Sequence, residues 1–250
     1  FLAIVAVNRE LRRRGWYGGD RREPDLLQWL DLVALGTVCD VVPLVGLNRA
    51  FVVKGLIALR RGANSGIAAL GRLARIDAPL SPYHLGFLIG PRINAGGRIG
   101  DAALGARLLS LDEAAQTEVI AAELDELNRQ RQAVEAAMLE QALAEADAEI
   151  GGGEGPAVLV TADPKWHPGI VGLIAARLKE RFQRPAFAIA LAPNGLGTGS
   201  GRSVPGVDLG SLVRAAVAEG LLVKGGGHAM AAGITVERGK LGDFRAFLEE

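Results

Sequence analysis

DEAAQTEVIAAELDELNRQRQAVEAAMLEQALAEADAEI, residues 112–150, contains neither glycine nor proline, and GGGEGP at 151–156 follows it at once. Its Ala, Glu, Leu, Gln and Arg are strong helix formers. Ile120, Leu124, Leu127, Val134 and Met138 keep a 4-3 spacing that Arg131 interrupts. The pattern predicts one helix over 112–149, roughly 55 Å long, with Asp112 and Glu113 at its positive N-terminal end. That is longer than a domain of this size needs, and the glycine run stops it. A long helix ending in a glycine linker reads as a connector. The chain is therefore expected to divide into residues 1–111, the connecting helix 112–150, and residues 151–250.

Working outward, the first part reads as mostly helical, over 25–39, 48–60, 65–74, 82–89 and 102–110. FLAIVAVNRELRRR, closed by Gly15, opens either as a buried strand or as a helix; its basic last turn and the following glycine favour the helix. Beyond the linker the pattern alternates. AVLVTA (157–162) is a short buried strand, PGIVGLIAARLKERF (168–182) a helix with Pro168 in its first turn, and AFAIAL (186–191) a second strand. GLGTGSGRS (195–203) is a third strand or a loop, LGSLVRAAVAEG (209–220) a helix and AAGITVE (231–237) a strand. The expected fold class is α/β, a mostly helical part followed by a small α/β domain. Both ends stop inside a patterned element, so the expectation is a piece of a longer protein.

Lys+Arg and Asp+Glu both number 28, which excludes a generally basic nucleic-acid binder; any such surface must come from local clustering. The single Cys39 excludes an intrachain disulfide framework and suits a reducing cytosol. No run approaches the ~20 apolar residues of a membrane span, and no signal peptide is legible. The expected location is cytoplasmic.

Two glycine-padded segments carry anion chemistry. GTGSGRS (197–203) brings Ser200, Arg202 and Ser203, and GGGHAMAAG (225–233) brings Gly226, Gly227 and His228. Hydroxyls, a guanidinium and backbone amides on glycine-rich backbone suit phosphate, which they contact without reading base identity. In GPRINAGGRIGDA (90–102), Arg92 and Arg98 are six residues apart, out of helical register unless the glycines form a turn that aims them at one site; the plain alternative is a surface loop pairing with Asp101. Asp40 follows the apolar run LVALGTVC, so its carboxylate caps, pairs or binds a metal. Trp166 and His167 precede the expected helix start at Pro168. His167 is either a cap or a ligand contact there, and Trp166 a packed aromatic more than a base-stacking one. His84, after Ser81-Pro82, reads as a residue of a helix start, and the arginines at 12–14 and 21–22 as solvated helix ends.

Read in order, LDLVALGTVCDVVPL (30–44), GPRINAGGRIGDA, LNRQRQ (127–132), WHPGIVGLIAARL (166–178), GTGSGRS and GGGHAMAAG resemble the RecJ family of single-strand-specific exonucleases in the DHH phosphoesterase superfamily. The resemblance implies the C-terminal, mostly helical part of a DHH domain, the long helix, and a DHH-associated nucleic-acid-binding domain. It implies that Asp40 is a ligand of a two-metal Mn²⁺ or Mg²⁺ centre whose other ligands lie outside this chain, since the Asp-His-His motif is absent. Arg98 is expected at the scissile phosphate, with Arg92 or Asn94 supporting its loop. His167, Ser200, Arg202, Ser203, Gly226, Gly227 and His228 are expected to grip single-stranded DNA. The implied activity is 5′→3′ exonuclease action in DNA repair and recombination, beside a helicase and a single-strand-binding protein and away from membranes. Two rivals stand beside it: a DHH phosphoesterase acting on short oligonucleotides or cyclic dinucleotides, and a non-catalytic nucleic-acid-binding module.

Overall fold

The computed structural model describes residues 1–62 and 64–249; Ala63 and Glu250, the last residue of the expected second domain, lie outside the described residues. The chain divides into two compact units, Phe1–Asn128 and Arg129–Glu250, with the division inside the long helix.

The first unit is mostly helical, with loops and an isolated bridge between Gly18 and Arg21. The opening segment is a helix, α1 (Leu2–Arg13), with Arg12 and Arg13 in its last turn and Gly15 at φ 65° after it. A 3₁₀ turn at Leu26–Trp29, capped by the Asp25 carboxylate, leads into α2 (Leu30–Cys39). Next come α3 (Gly46–Arg60) and α4 (Ser65–Leu73), the latter capped by Asn64, which accepts from the Ile67 amide at 3.0 Å. A π-helical turn (His84–Ile89) runs directly into α5 (Gly90–Ile99), followed by α6 (Leu104–Ser110) and the first part of α7 (Ala114–Ile150). His84 sits where a helix-start residue should, its Nδ1 accepting from the Ser81 amide. Ala34, Val52, Ile67, Leu70, Leu85, Ile89, Leu108 and Leu124 form one buried core. Small residues let these helices approach closely. A β-carbon on Gly55 would lie 2.1 Å from the Leu30 carbonyl oxygen, and one on Gly66 would lie 2.5 Å from that of Leu108.

GPRINAGGR is not a turn. Pro91 cannot donate to the residue-87 carbonyl and its ring crowds that group, and the wider π turn immediately before α5 accommodates both defects. Each helical glycine costs on the order of 1 kcal/mol relative to alanine, and close packing offsets the cost. A β-carbon on Gly90 would lie 2.6 Å from Cys39 Sγ, and one on Gly96 would lie 2.6 Å from the Asp101 carbonyl oxygen.

The second unit contains the rest of α7 and a five-stranded sheet of order β1-β2-β3-β5-β4. The elements are β1 (Leu159–Asp163), α8 (Val171–Phe182), β2 (Ala186–Leu191), β3 (Leu196–Arg202), α9 (Leu209–Ala218), β4 (Lys224–His228), β5 (Ala231–Glu237), a short 3₁₀ turn (Arg238–Lys240) and α10 (Leu241–Leu248). The β1–β2 pair is parallel, joined by the α8 crossover, and the remaining pairs are antiparallel. GTGSGRS is thus a strand in the middle of the sheet. The helix expected from Pro168 begins later, at Val171.

Alternation assigns the two faces of the sheet. Phe187, Ile189, Ala232, Ile234 and Val236 face a core completed by Leu209, Val213, Phe244 and Leu248 from α9 and α10. Phe187 and Phe244 meet edge to face with centroids 5.4 Å apart. On the other face, Ala186, Ala188 and Ala190 alternate with those bulky residues, and α8 packs against β2 and β3. Past β3 the sheet is open: every residue of β4 is exposed, as is Gly233 of β5.

Candidate functional site

In the first unit Asp40 is the C-cap of α2 and is exposed. Its neighbour Cys39 anchors that helix end, with Sγ 3.5 Å from the Leu85 carbonyl oxygen; burial pushes the thiol pKa up, and the Asp40 charge adds to the shift. Among the described residues no group of three or more His, Cys, Asp or Glu side chains forms a metal-binding cluster. Asp40 supplies one exposed carboxylate at the end of α2.

Because α5 is a helix, Arg92 and Arg98 project from different faces. Arg92 donates from Nε to Asp125 Oδ1 and from Nη1 to the Leu88 carbonyl, both at 2.8 Å, and both members of the ion pair are largely buried. The guanidinium ties the π turn to α7. Two of its donors, Nε and Nη1, are thus used within the protein, which fits the expected role of Arg92 in supporting this segment better than a direct substrate contact. Asn94 is exposed and shares the face of Arg98, one turn earlier. Asn94 also lines an apolar groove with Cys39, Gly36 and Gly90, beside the end of α2.

In the second unit strand register does the assembling. Ser200, Gly233 and Gly226 lie side by side across β3, β5 and β4, and Arg202, Ala231 and His228 form the next row. Directly paired residues share a face, and i, i+2 residues do too, so both rows lie on the face away from the Phe187 core. Arg202 donates from Nη1 to Ser200 Oγ at 2.7 Å and to the Gly201 carbonyl at 2.8 Å. A β-carbon on Gly172, in the first turn of α8, would lie 3.1 Å from Arg202 Nη2 and 3.2 Å from Ser200 Oγ. The positive end of a helix, a hydroxyl and a guanidinium therefore converge. Arg202 is half-buried, which pushes its pKa down from the ordinary arginine value. Among the described residues no carboxylate pairs with it. A half-buried cation lacking a counter-charge, beside a helix N-terminus, is a site for an anion.

The glycines sort by what demands them. β-Carbons on Gly197, Gly199 and Gly201 would lie 2.7 Å from Ile189, 2.8 Å from Ile234 and 2.4 Å from Phe187, so these three make room for core side chains rather than for a ligand. A β-carbon on Gly225 would meet Val213 at 2.5 Å, and one on Gly227 would meet the Ala231 carbonyl at 2.3 Å. Gly226 and Gly233 differ. Neither has positive φ, and a β-carbon on either would meet nothing within 4 Å. The fold does not require glycine at these two positions, and they form a bare floor beside Ser200 and His228.

Ser203 is corrected as a side-chain donor to substrate. It is buried, its hydroxyl donates to the Val207 carbonyl at 2.7 Å, and its amide donates to that of Met230. Together with the Leu209 amide on Ala229, it clamps the turn after His228. His167 is exposed in the turn preceding α8, with Nδ1 accepting from the Gly169 amide at 3.1 Å. Trp166 is buried, its Nε1 donating to Gln141 at 3.1 Å, which makes it a packing residue and not a base platform. Gly172 and Gly233 were not legible as site residues; the only sequence signal for Gly233 is its alternation with Ala231 and Thr235, and using it requires the register.

Residues 155–250 match the DHHA1 domain family. The chain is 42% identical over 251 aligned positions to the single-stranded-DNA-specific exonuclease RecJ of Dickeya dadantii, covering 98% of this chain and 44% of that protein. It is also 42% identical to RecJ of Escherichia coli K12, covering 96% of this chain and 43% of the relative. It therefore spans less than half the length of these curated relatives. Among solved structures, RecJ of Thermus thermophilus in complex with Mn²⁺ superposes with a TM-score of 0.81 at 35% identity, over 96% of this chain and 34% of that one.

Proposed function

The chain belongs to the RecJ family over the length it spans, and from that premise we propose that it forms part of a metal-dependent 5′→3′ exonuclease acting on single-stranded DNA. The observation that carries the reading is the uncountered, half-buried Arg202 beside Ser200 and the start of α8, next to the bare floor of Gly226 and Gly233. Such a surface grips a phosphate backbone and leaves bases unread. Arg202, Ser200 and His228 hold phosphates, Gly226 lets the strand lie close to β4, and His167 lines the approach to α8. Gly227, expected to do the same as Gly226, instead faces the core side, where a β-carbon would meet the Ala231 carbonyl. In the first unit Asp40 is one ligand of a Mn²⁺ or Mg²⁺ centre completed by residues outside this chain. Arg98, with Asn94 on the same face, neutralises the phosphate under attack. When bound, the metal supplies the activated water. The work of the intact enzyme is repair and recombination in the cytoplasm, beside a helicase and a single-strand-binding protein.

Two substitutions in the intact enzyme separate chemistry from grip. Asp40→Ala is expected to abolish Mn²⁺-dependent cleavage while single-strand affinity stays within a few-fold. Arg202→Ala is expected to weaken binding by about tenfold or more and to flatten its salt dependence by about 0.7 in log–log slope. Near-normal turnover in the first variant sinks the metal assignment, and unchanged affinity and slope in the other sink the phosphate site. Taken alone, residues 1–250 are expected to bind without cutting, because Asp40 has no companion ligand cluster among the described residues. Metal-dependent nucleotide release that co-purifies with this chain overturns that reading.

A further inference from the structure

We propose that Lys224 forms a second phosphate subsite on the open sheet face, so that the second unit holds a single strand at two points and not one; this rests on the reading of Arg202 and Ser200 as a phosphate grip. Lys224 is the first residue of β4 and pairs with Thr235 of β5, which in turn pairs with Thr198 of β3. This Thr198–Thr235–Lys224 row is two residues from the Ser200–Gly233–Gly226 row and four from the Arg202–Ala231–His228 row, so all three share one face. Lys224 and Thr198 are exposed, and no carboxylate pairs with Lys224 among the described residues. Four residues of strand place Lys224 about 13 Å from His228 along β4. Between them on this face lies only Gly226, with Gly233 beside it, and a β-carbon at either would meet no atom within 4 Å.

The arrangement is two cationic or donor posts at the ends of a floor stripped of side chains. Neither positive φ nor packing accounts for glycine at 226 and 233. An extended polyanion lying along β4 does, because its sugars need that space while its phosphates reach the two ends. A single phosphate, or a ligand of one or two nucleotides, satisfies the Arg202 end and leaves Lys224 out of reach. Strand length is what this subsite would sense.

The test is titration of the 250-residue chain with 5′-phosphorylated oligothymidylates from two to twelve nucleotides, over a range of salt. Lys224→Ala is expected to weaken binding of the longer strands by about tenfold and lower their log–log salt slope by about 0.7, as one lost phosphate contact does. Dinucleotide affinity is expected to stay unchanged, and Lys224→Arg to restore the slope. Equal affinity and slope for wild type and Lys224→Ala at every length overturns the subsite while leaving the Arg202 reading intact. A loss that is the same for dinucleotide and dodecamer also overturns it, since Lys224 would then share the first phosphate or act on the fold. If Arg202→Ala is likewise without effect at every length, the parent reading fails as well.

Discussion

GPRINAGGR of the helical unit and GTGSGRS with GGGH of the sheet unit have the same ingredients: glycines, arginines or a histidine, and a few small polar residues. The fold uses them differently. In α5 the glycines admit neighbouring helices, Cys39 at Gly90 and the Asp101 carbonyl at Gly96, and Arg92 is spent on Asp125 and Leu88. In the sheet unit alternation splits the glycines between two faces. Gly197, Gly199 and Gly201 yield space to Ile189, Ile234 and Phe187, while Gly226 and Gly233 border open space beside Arg202, which no described carboxylate neutralises. A glycine marks closeness, and only the structure says to what. It adjoins function where nothing in the protein occupies the room it leaves.

Three substitutions break or sharpen this contrast. The largest effect is expected at Gly201→Val, whose β-carbon would lie 2.4 Å from the Phe187 ring. Overpacking of that kind at the centre of the sheet is expected to cost about 3 kcal/mol. A loss below about 1 kcal/mol on urea unfolding would mean that Phe187 moves aside freely and that the core-facing role is overstated. Next is Arg92→Ala, which leaves Asp125 buried without this partner and is expected to cost about 2–3 kcal/mol. Its diagnostic is the split between stability and binding: if stability holds while single-strand binding by the chain falls, Arg92 belongs to the substrate surface after all. The smallest change in stability is expected at Gly226→Val, within about 0.5 kcal/mol of wild type, because a β-branched residue suits a strand and its β-carbon would meet no atom within 4 Å. Oligonucleotide affinity should nonetheless fall several-fold in the same variant. Destabilisation without any loss of affinity would make the glycine structural.

The order of the motifs, the long Gly- and Pro-free helix and the helical-then-alternating pattern are readable from the chain alone, because periodicity and propensity are local properties. They determined the fold class, the position of α7, and Asp40, Arg98, Ser200, Arg202 and His228 as candidate site residues. The sequence did not reveal that residues 90–99 form a helix. Helix propensity penalises Gly96 and Gly97, and close packing against Asp101, Leu124 and Leu104 offsets the penalty at Gly96. Nor did it separate Ser203 from Ser200: the two hydroxyls are three residues apart, yet one is used up on Val207 and the other faces Gly172. Which glycine meets a core ring and which meets open space depends on strand register. Register is set by pairing between segments as distant as Ser200 and Gly233, so a site assembled across β3, β5 and β4 exists only in three dimensions.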